Sequence, residues 1–170
     1  MKLKTILPIF LLLFALVQPT FAQVKEDAIV RFYEKYMNDE RFSTMYFSGR
    51  MFRMMANTKE GDKESAEFAK AASQIDGLRM LSSDNVNGLS LYKEVIQNLN
   101  RNGFEELMVV RENNEEFQFL IREEKGIVKE LLMISAEGKS FMLLSIIGNI
   151  DLKSISKITK QLDIKGLDKF

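Results

Sequence analysis

Between Phe104 and Ile147 the chain repeats one pattern four times: eight or nine residues dominated by apolar or alternating side chains, closed by a pair that turns the backbone. Phe104 to Arg111 ends at Asn113-Asn114, and Glu116 to Glu123 at Lys125-Gly126. Ile127 to Ser135 ends at Glu137-Gly138, and Lys139 to Ile147 at Gly148-Asn149. Gly and Asn reach positive φ at little cost, which is what a tight hairpin requires. The pattern predicts four antiparallel strands in sequential order, a meander to which the rest of the chain must fit.

Side-chain alternation says which faces of that meander need cover. In the second run Phe117, Phe119 and Ile121 share one face, while Gln118, Leu120 and Arg122 share the other, as expected of a strand with one covered face. The third and fourth runs are apolar on both faces: Leu131 and Met133 oppose Leu132 and Ile134, and Phe141, Leu143 and Ile147 oppose Met142, Leu144 and Ile146. Two arrangements satisfy this. The chain's own helices cover both sides, or one side is a docking surface for another chain or a lipid.

The remaining elements are mostly helical. Ile29, Phe32, Tyr33 and Tyr36 recur at helical spacing within Glu26 to Asn38. Phe42 to Phe47 alternates as a short strand, and Ser48 is placed to cap a helix over Arg50 to Asn57. Asp62 caps a further helix through Ser73, with Ser65, Phe68, Ala69 and Ala72 as its stripe; a strand follows from Leu78 to Ser83. Leu89 to Arg101 is the strongest helical pattern, stopped by Asn102-Gly103, and Asp151 begins a last helix with Leu152, Ile155, Ile158 and Leu162 on one face. The fold class is α+β: an antiparallel sheet with a C-terminal four-stranded meander, two additional early strands, and helices packed on the sheet.

Residues Met1 to Ala22 are set apart from that domain. Lys2 and Lys4 precede an apolar run from Ile6 to Val17, and Thr20-Phe21-Ala22 supplies small residues before a cut, the layout of a cleavable secretory signal. The single domain is then 23–170, exported to the periplasm or beyond, and the absence of Cys excludes anchoring through a lipidated cysteine. It also means no disulfide supports the core in an oxidising compartment. The 24 basic and 24 acidic residues balance, with no basic stretch to attract nucleic acid.

The chain has neither His nor Cys. That removes imidazole bases, thiol nucleophiles, Ser-His-Asp triads and nearly all zinc, copper and haem sites. No phosphate-cradling or dinucleotide-binding Gly motif is present, so no nucleotide or other cofactor is expected. The doublets Glu105-Glu106, Glu115-Glu116 and Glu123-Glu124 each split across the two faces of a strand, unlike a glycosidase pair. Asp84-Asn85-Val86-Asn87-Gly88 lacks oxygen ligands at alternate positions and reads as a turn with a helix cap rather than a calcium loop. Lys139-Ser140 and Ser156-Lys157 are the adjacent Ser and Lys pairs from which a His-free hydrolase would have to be built. No catalytic, cofactor-binding or metal-ligating residue is assigned.

Ten Met residues is a high number for 170, and three of them, Met51, Met54 and Met55, cluster with Phe52 on one short helix. Methionine is flexible and polarizable, suited to adaptable contacts as well as to filling a core. These four cannot all face one way. The wheel puts Met51 and Met55 inward, leaves Phe52 or Met54 at the margin, and sends Arg53 to solvent. Arg50, Phe52 and Met54 are therefore the candidate contact residues for an envelope protein or a lipid.

A set of short motifs spread over roughly residues 26 to 162 gives the chain a family resemblance. They are Phe32, Tyr33 and Tyr36; Asp39 with Phe42-Ser43; Met51-Phe52 after Ser48; Ile75-Asp76-Gly77-Leu78-Arg79; Gly103-Phe104-Glu105-Glu106-Leu107; and Gly148-Asn149-Ile150-Asp151-Leu152. In order and spacing they resemble the secreted bacterial family known as domain of unknown function 4252. The resemblance implies an exported protein of Gram-negative bacteria, in a family whose members often sit beside envelope-signalling genes. It carries no established activity and no functional residue. Three readings follow: a non-enzymatic envelope protein that binds a protein partner or apolar ligand, a carrier holding acyl chains in the two-sided meander, and a hydrolase working without His or Cys.

Overall fold

The computed structural model describes residues 28–57, 63–99 and 103–151. Its elements are α1 (Ala28–Tyr36), β1 (Ser43–Ser48), α2 (Gly49–Asn57), α3 (Lys63–Ser73), β2 (Ile75–Ser83), α4 (Gly88–Leu99), β3 (Phe104–Glu112), β4 (Glu115–Glu124), β5 (Ile127–Glu137) and β6 (Ser140–Ile150). The expected signal segment and the expected helix after Asp151 lie outside the described residues.

One antiparallel sheet in the order β1-β2-β6-β5-β4-β3 holds all six strands. The meander is its four sequential strands, β3 to β6, and β2 joins it through β6. Two hairpins turn as their residues dictate. Asn113 and Asn114 have φ of 40° and 77°, and Lys125 and Gly126 have 54° and 77°, the two successive positive values of the turn that matches strand twist. Gly148 behaves differently from expectation. It does not end the fourth strand, which runs on to Ile150 and pairs with Val128. A side chain there would begin 2.0 Å from the carbonyl oxygen of Gln74, so glycine permits the close approach of the chain entering β2.

Helices cover both faces of the sheet. On one side α2 and α3 contribute Phe52, Phe68, Ala71 and Ala72, which pack on Leu78, Phe117, Met133, Leu144 and Ile146. On the other, α1 and α4 contribute Ile29, Phe32, Tyr92, Val95 and Leu99, which pack on Leu81, Leu120, Leu132, Ile134 and Leu143. The two-sided apolar strands are thus buried by the chain's own helices. The single-faced reading of the second run is corrected: Gln118 and Leu120 are as buried as Phe117, whereas Phe119 is only partly so. Its polar positions face inward because α4 lays Tyr92 over them, with Tyr92 Oη donating to Gln118 Oε1 at 2.9 Å. Helix α1 is tied to α4 by Glu94, which accepts from Lys35 at 2.7 Å and from the Tyr36 hydroxyl at 3.0 Å.

Candidate functional site

Helix α2 follows β1 without a loop. Ser48 caps it, its hydroxyl accepting from the Met51 N–H at 3.4 Å, and Gly49 then presses directly on the β2 backbone. A side chain at Gly49 would start 2.7 Å from the carbonyl oxygen of Ile75 and 2.9 Å from that of Asp76. This contact fixes the rotation of the helix. With residue 49 against the sheet, the residues three and seven further on share its face, and these are Phe52 and Ala56.

The consequence reverses part of the sequence-based expectation. Phe52 is 1% exposed, with its ring edge-on to Phe47 at 6.2 Å, so it holds the core and presents nothing to a partner. Met51, expected inward, is 40% exposed, while Met55 packs against the core as expected. The phase differs because the glycine contact and the larger ring take the inward stripe that the wheel gave to Met51. Met54 is 61% exposed, and Arg50 and Arg53 are exposed beside it. The outer face of α2 therefore carries two methionines and two guanidinium groups: Met51, Met54, Arg50 and Arg53.

A second constellation, outside the sequence-based expectation, lies on the α4 side of the sheet. Glu130 on β5 is 0% exposed. It accepts from Arg122 Nη2 at 2.8 Å and from the Ser145 hydroxyl at 2.6 Å. Phe104 lies against the same guanidinium, its ring centre 5.6 Å away. A signal was available, since Arg122 and Glu130 are cross-strand partners of opposite charge at inward positions of one hairpin. Next to them Gln118 donates to Glu106, and Arg111 Nε donates to Glu116 at 2.9 Å. Burial pushes the Tyr92 phenol above its usual range.

Glu106 and Glu116 are thus each held by a partner on the sheet. Asp84 accepts from the Ser140 hydroxyl at 3.0 Å and Asn87 caps α4 through the Ser90 N–H, which accounts for the loop once compared with a calcium site. Ser156 and Lys157 lie outside the described residues. Among the described residues no group of three or more acidic side chains is placed to hold a metal ion, and no helix is long and apolar enough to cross a membrane. The family described as Domain of unknown function (DUF4252) matches residues 36–158. No curated protein matches the chain.

Proposed function

The chain belongs to that family, which lends it no activity, and we propose from its own geometry that it is a non-enzymatic binding module of the cell envelope. It is exported, its leader is removed after Ala22, and the outer face of α2 takes a protein partner or a lipid. The observation that carries this reading is Met54, 61% exposed on a helix whose opposite side is locked into the core by Phe52 at 1%. Met51, 40% exposed one turn back, extends the apolar surface on this face, and a contiguous exposed apolar patch rimmed by charge is the pattern of a contact site. Arg50 and Arg53 beside it suit an anionic headgroup or an acidic protein surface.

The carrier reading has less support. The meander's two apolar faces are filled by α1 and α4 on one side and α2 and α3 on the other, so an acyl chain would have to displace them. The hydrolase reading would need a nucleophile with a base beside it; Ser145, which donates to Glu130, is fully buried, and the half-buried Ser140 donates to Asp84 in the turn before α4. The test compares wild type with Met54→Glu for capture of proteins and lipids from envelope extract, identified by mass spectrometry. The substitution is expected to abolish specific capture with the melting temperature nearly unchanged. Unfolding by Met54→Glu, or intact capture by a folded variant, would refute the assignment of this face.

A further inference from the structure

Tyr46 on β1 and Arg79 on β2 are cross-strand partners, and they sit on the face of the sheet opposite α2. The guanidinium carbon lies 6.0 Å from the centre of the Tyr46 ring. Gly77 precedes Arg79 by two residues and shares its face. Cε2 and Oη of Tyr46 lie 3.7 and 4.0 Å from where a side chain on Gly77 would begin. Ring and cation thus frame a strip of sheet on which Gly77 places no side chain. Tyr46 is 57% exposed and Arg79 partly exposed, so both walls are reached from solvent.

One end of that guanidinium is nevertheless buried: Arg79 Nη1 is shielded from solvent and has no hydrogen-bond acceptor. Among the described residues none forms an ion pair with Arg79, exposed Asp76 three residues back included. Ser145 is the partner of Arg79 on β6, and its hydroxyl donates to Glu130 on β5 at 2.6 Å. The other oxygen of Glu130 accepts from Arg122 Nη2 at 2.8 Å. The carboxylate two strands away is therefore held by other donors. A buried donor without an acceptor costs stability, and a bound anion is one way a native protein satisfies it.

We propose that Tyr46, Gly77 and Arg79 form a binding site for a small monocarboxylate. Its oxygens accept from the Arg79 guanidinium, and its apolar body lies against the Tyr46 ring. The planar fork of a guanidinium matches the two oxygens of a carboxylate. Phosphate offers similar oxygens, but a dianion would bring a second charge towards Glu130, so a single negative charge fits the row better. The exposed ring of Tyr46 favours a ligand with an aromatic body, which can stack on it. The site lies on the face opposite α2, and the inference stands independently of what α2 binds.

Proton–nitrogen NMR on the folded chain from Gln23 tests it, with sodium benzoate, acetate and phosphate as probes. Benzoate should shift the amide signals of Tyr46, Gly77 and Arg79 saturably. Acetate should bind roughly threefold more weakly, since it leaves the ring uncovered, and phosphate more weakly still. Arg79→Gln should abolish the shifts, and Arg79→Lys, which keeps the charge and loses the fork, should weaken binding about tenfold. Tyr46→Ala, at an exposed position, should bring benzoate to the level of acetate. Arg31→Gln, exposed on α1, should leave every affinity as it is. Should Arg79→Gln fail to fold, Arg79→Lys and Tyr46→Ala still decide. A wild-type chain with no saturable benzoate shift overturns the proposal. So do shifts that survive Arg79→Gln, phosphate binding as tightly as benzoate, or benzoate binding untouched by Tyr46→Ala.

Discussion

Replacing Phe52 by alanine should separate the inner and outer faces of α2 by energy. Aromatic side chains bury about 150–250 Å² each. At about 25 cal/mol per Å² the full ring represents about 4–6 kcal/mol of transfer free energy. Alanine keeps the first carbon, flexible Met55 can move partway into the space, and the remaining void carries its own penalty, so the net loss should be about 3–5 kcal/mol. That is a large share of the ~5–15 kcal/mol typical of a domain. The edge-on contact with Phe47 at 6.2 Å is lost with the ring, and a nine-residue helix has little stability of its own to offset this. Met54→Ala, by contrast, changes an outward side chain and should stay within about 0.5 kcal/mol of wild type. Urea unfolding of both variants, with unchanged slopes, measures the difference. If Phe52→Ala costs less than about 1 kcal/mol, or Met54→Ala more than about 1.5, α2 is rotated from the orientation described.

Three further outcomes are expected. Glu130→Ala should destabilise the fold by about 3 kcal/mol, the low end for a broken buried pair because the Arg122 side chain is 30% exposed and can turn to water; joint replacement of both by Leu should recover most of the loss, and denaturant unfolding checks each. Asp39 should titrate at about 2, below the ordinary 3.8, because the Arg41 side chain and then its backbone N–H bond its carboxylate; the linked stability is present above the ordinary value and lost as pH falls towards 2, and carboxyl NMR should show Arg41→Ala raising the midpoint only part of the way towards 3.8, since the backbone N–H remains. N-terminal sequencing of the protein from its native envelope should begin at Gln23, and recovery of Met1 would sink the export proposal.

The meander was legible because its information is local: period-two alternation and turn residues that need no distant partner. Helix boundaries followed from caps in the same way, as Ser48 and Asn87 illustrate. What was missed depends on contacts between elements. Gly148 looked like a stop because nothing local reveals that Gln74 passes against it. The phase of α2 was off because periodicity fixes which residues share a face, while the choice of inward face came from Gly49 meeting β2. Gly49, Phe52 and Ala56 at spacings of three and four carried that information, obscured by three apolar methionines. Glu130 was overlooked because a charge in an apolar strand is invisible to patterning until its cross-strand partner is known.

If the outer face of α2 is the contact surface, methionine oxidation will read it residue by residue. Treating the folded protein with a mild oxidant should convert Met54 and Met51 rapidly to the sulfoxide, with Met37 (44% exposed) reacting alongside and Met133 (1%) protected. Once the envelope ligand is bound, Met51 and Met54 should become protected while Met37 stays reactive. Met54 oxidising as fast in the bound protein as in the free one would contradict the claim.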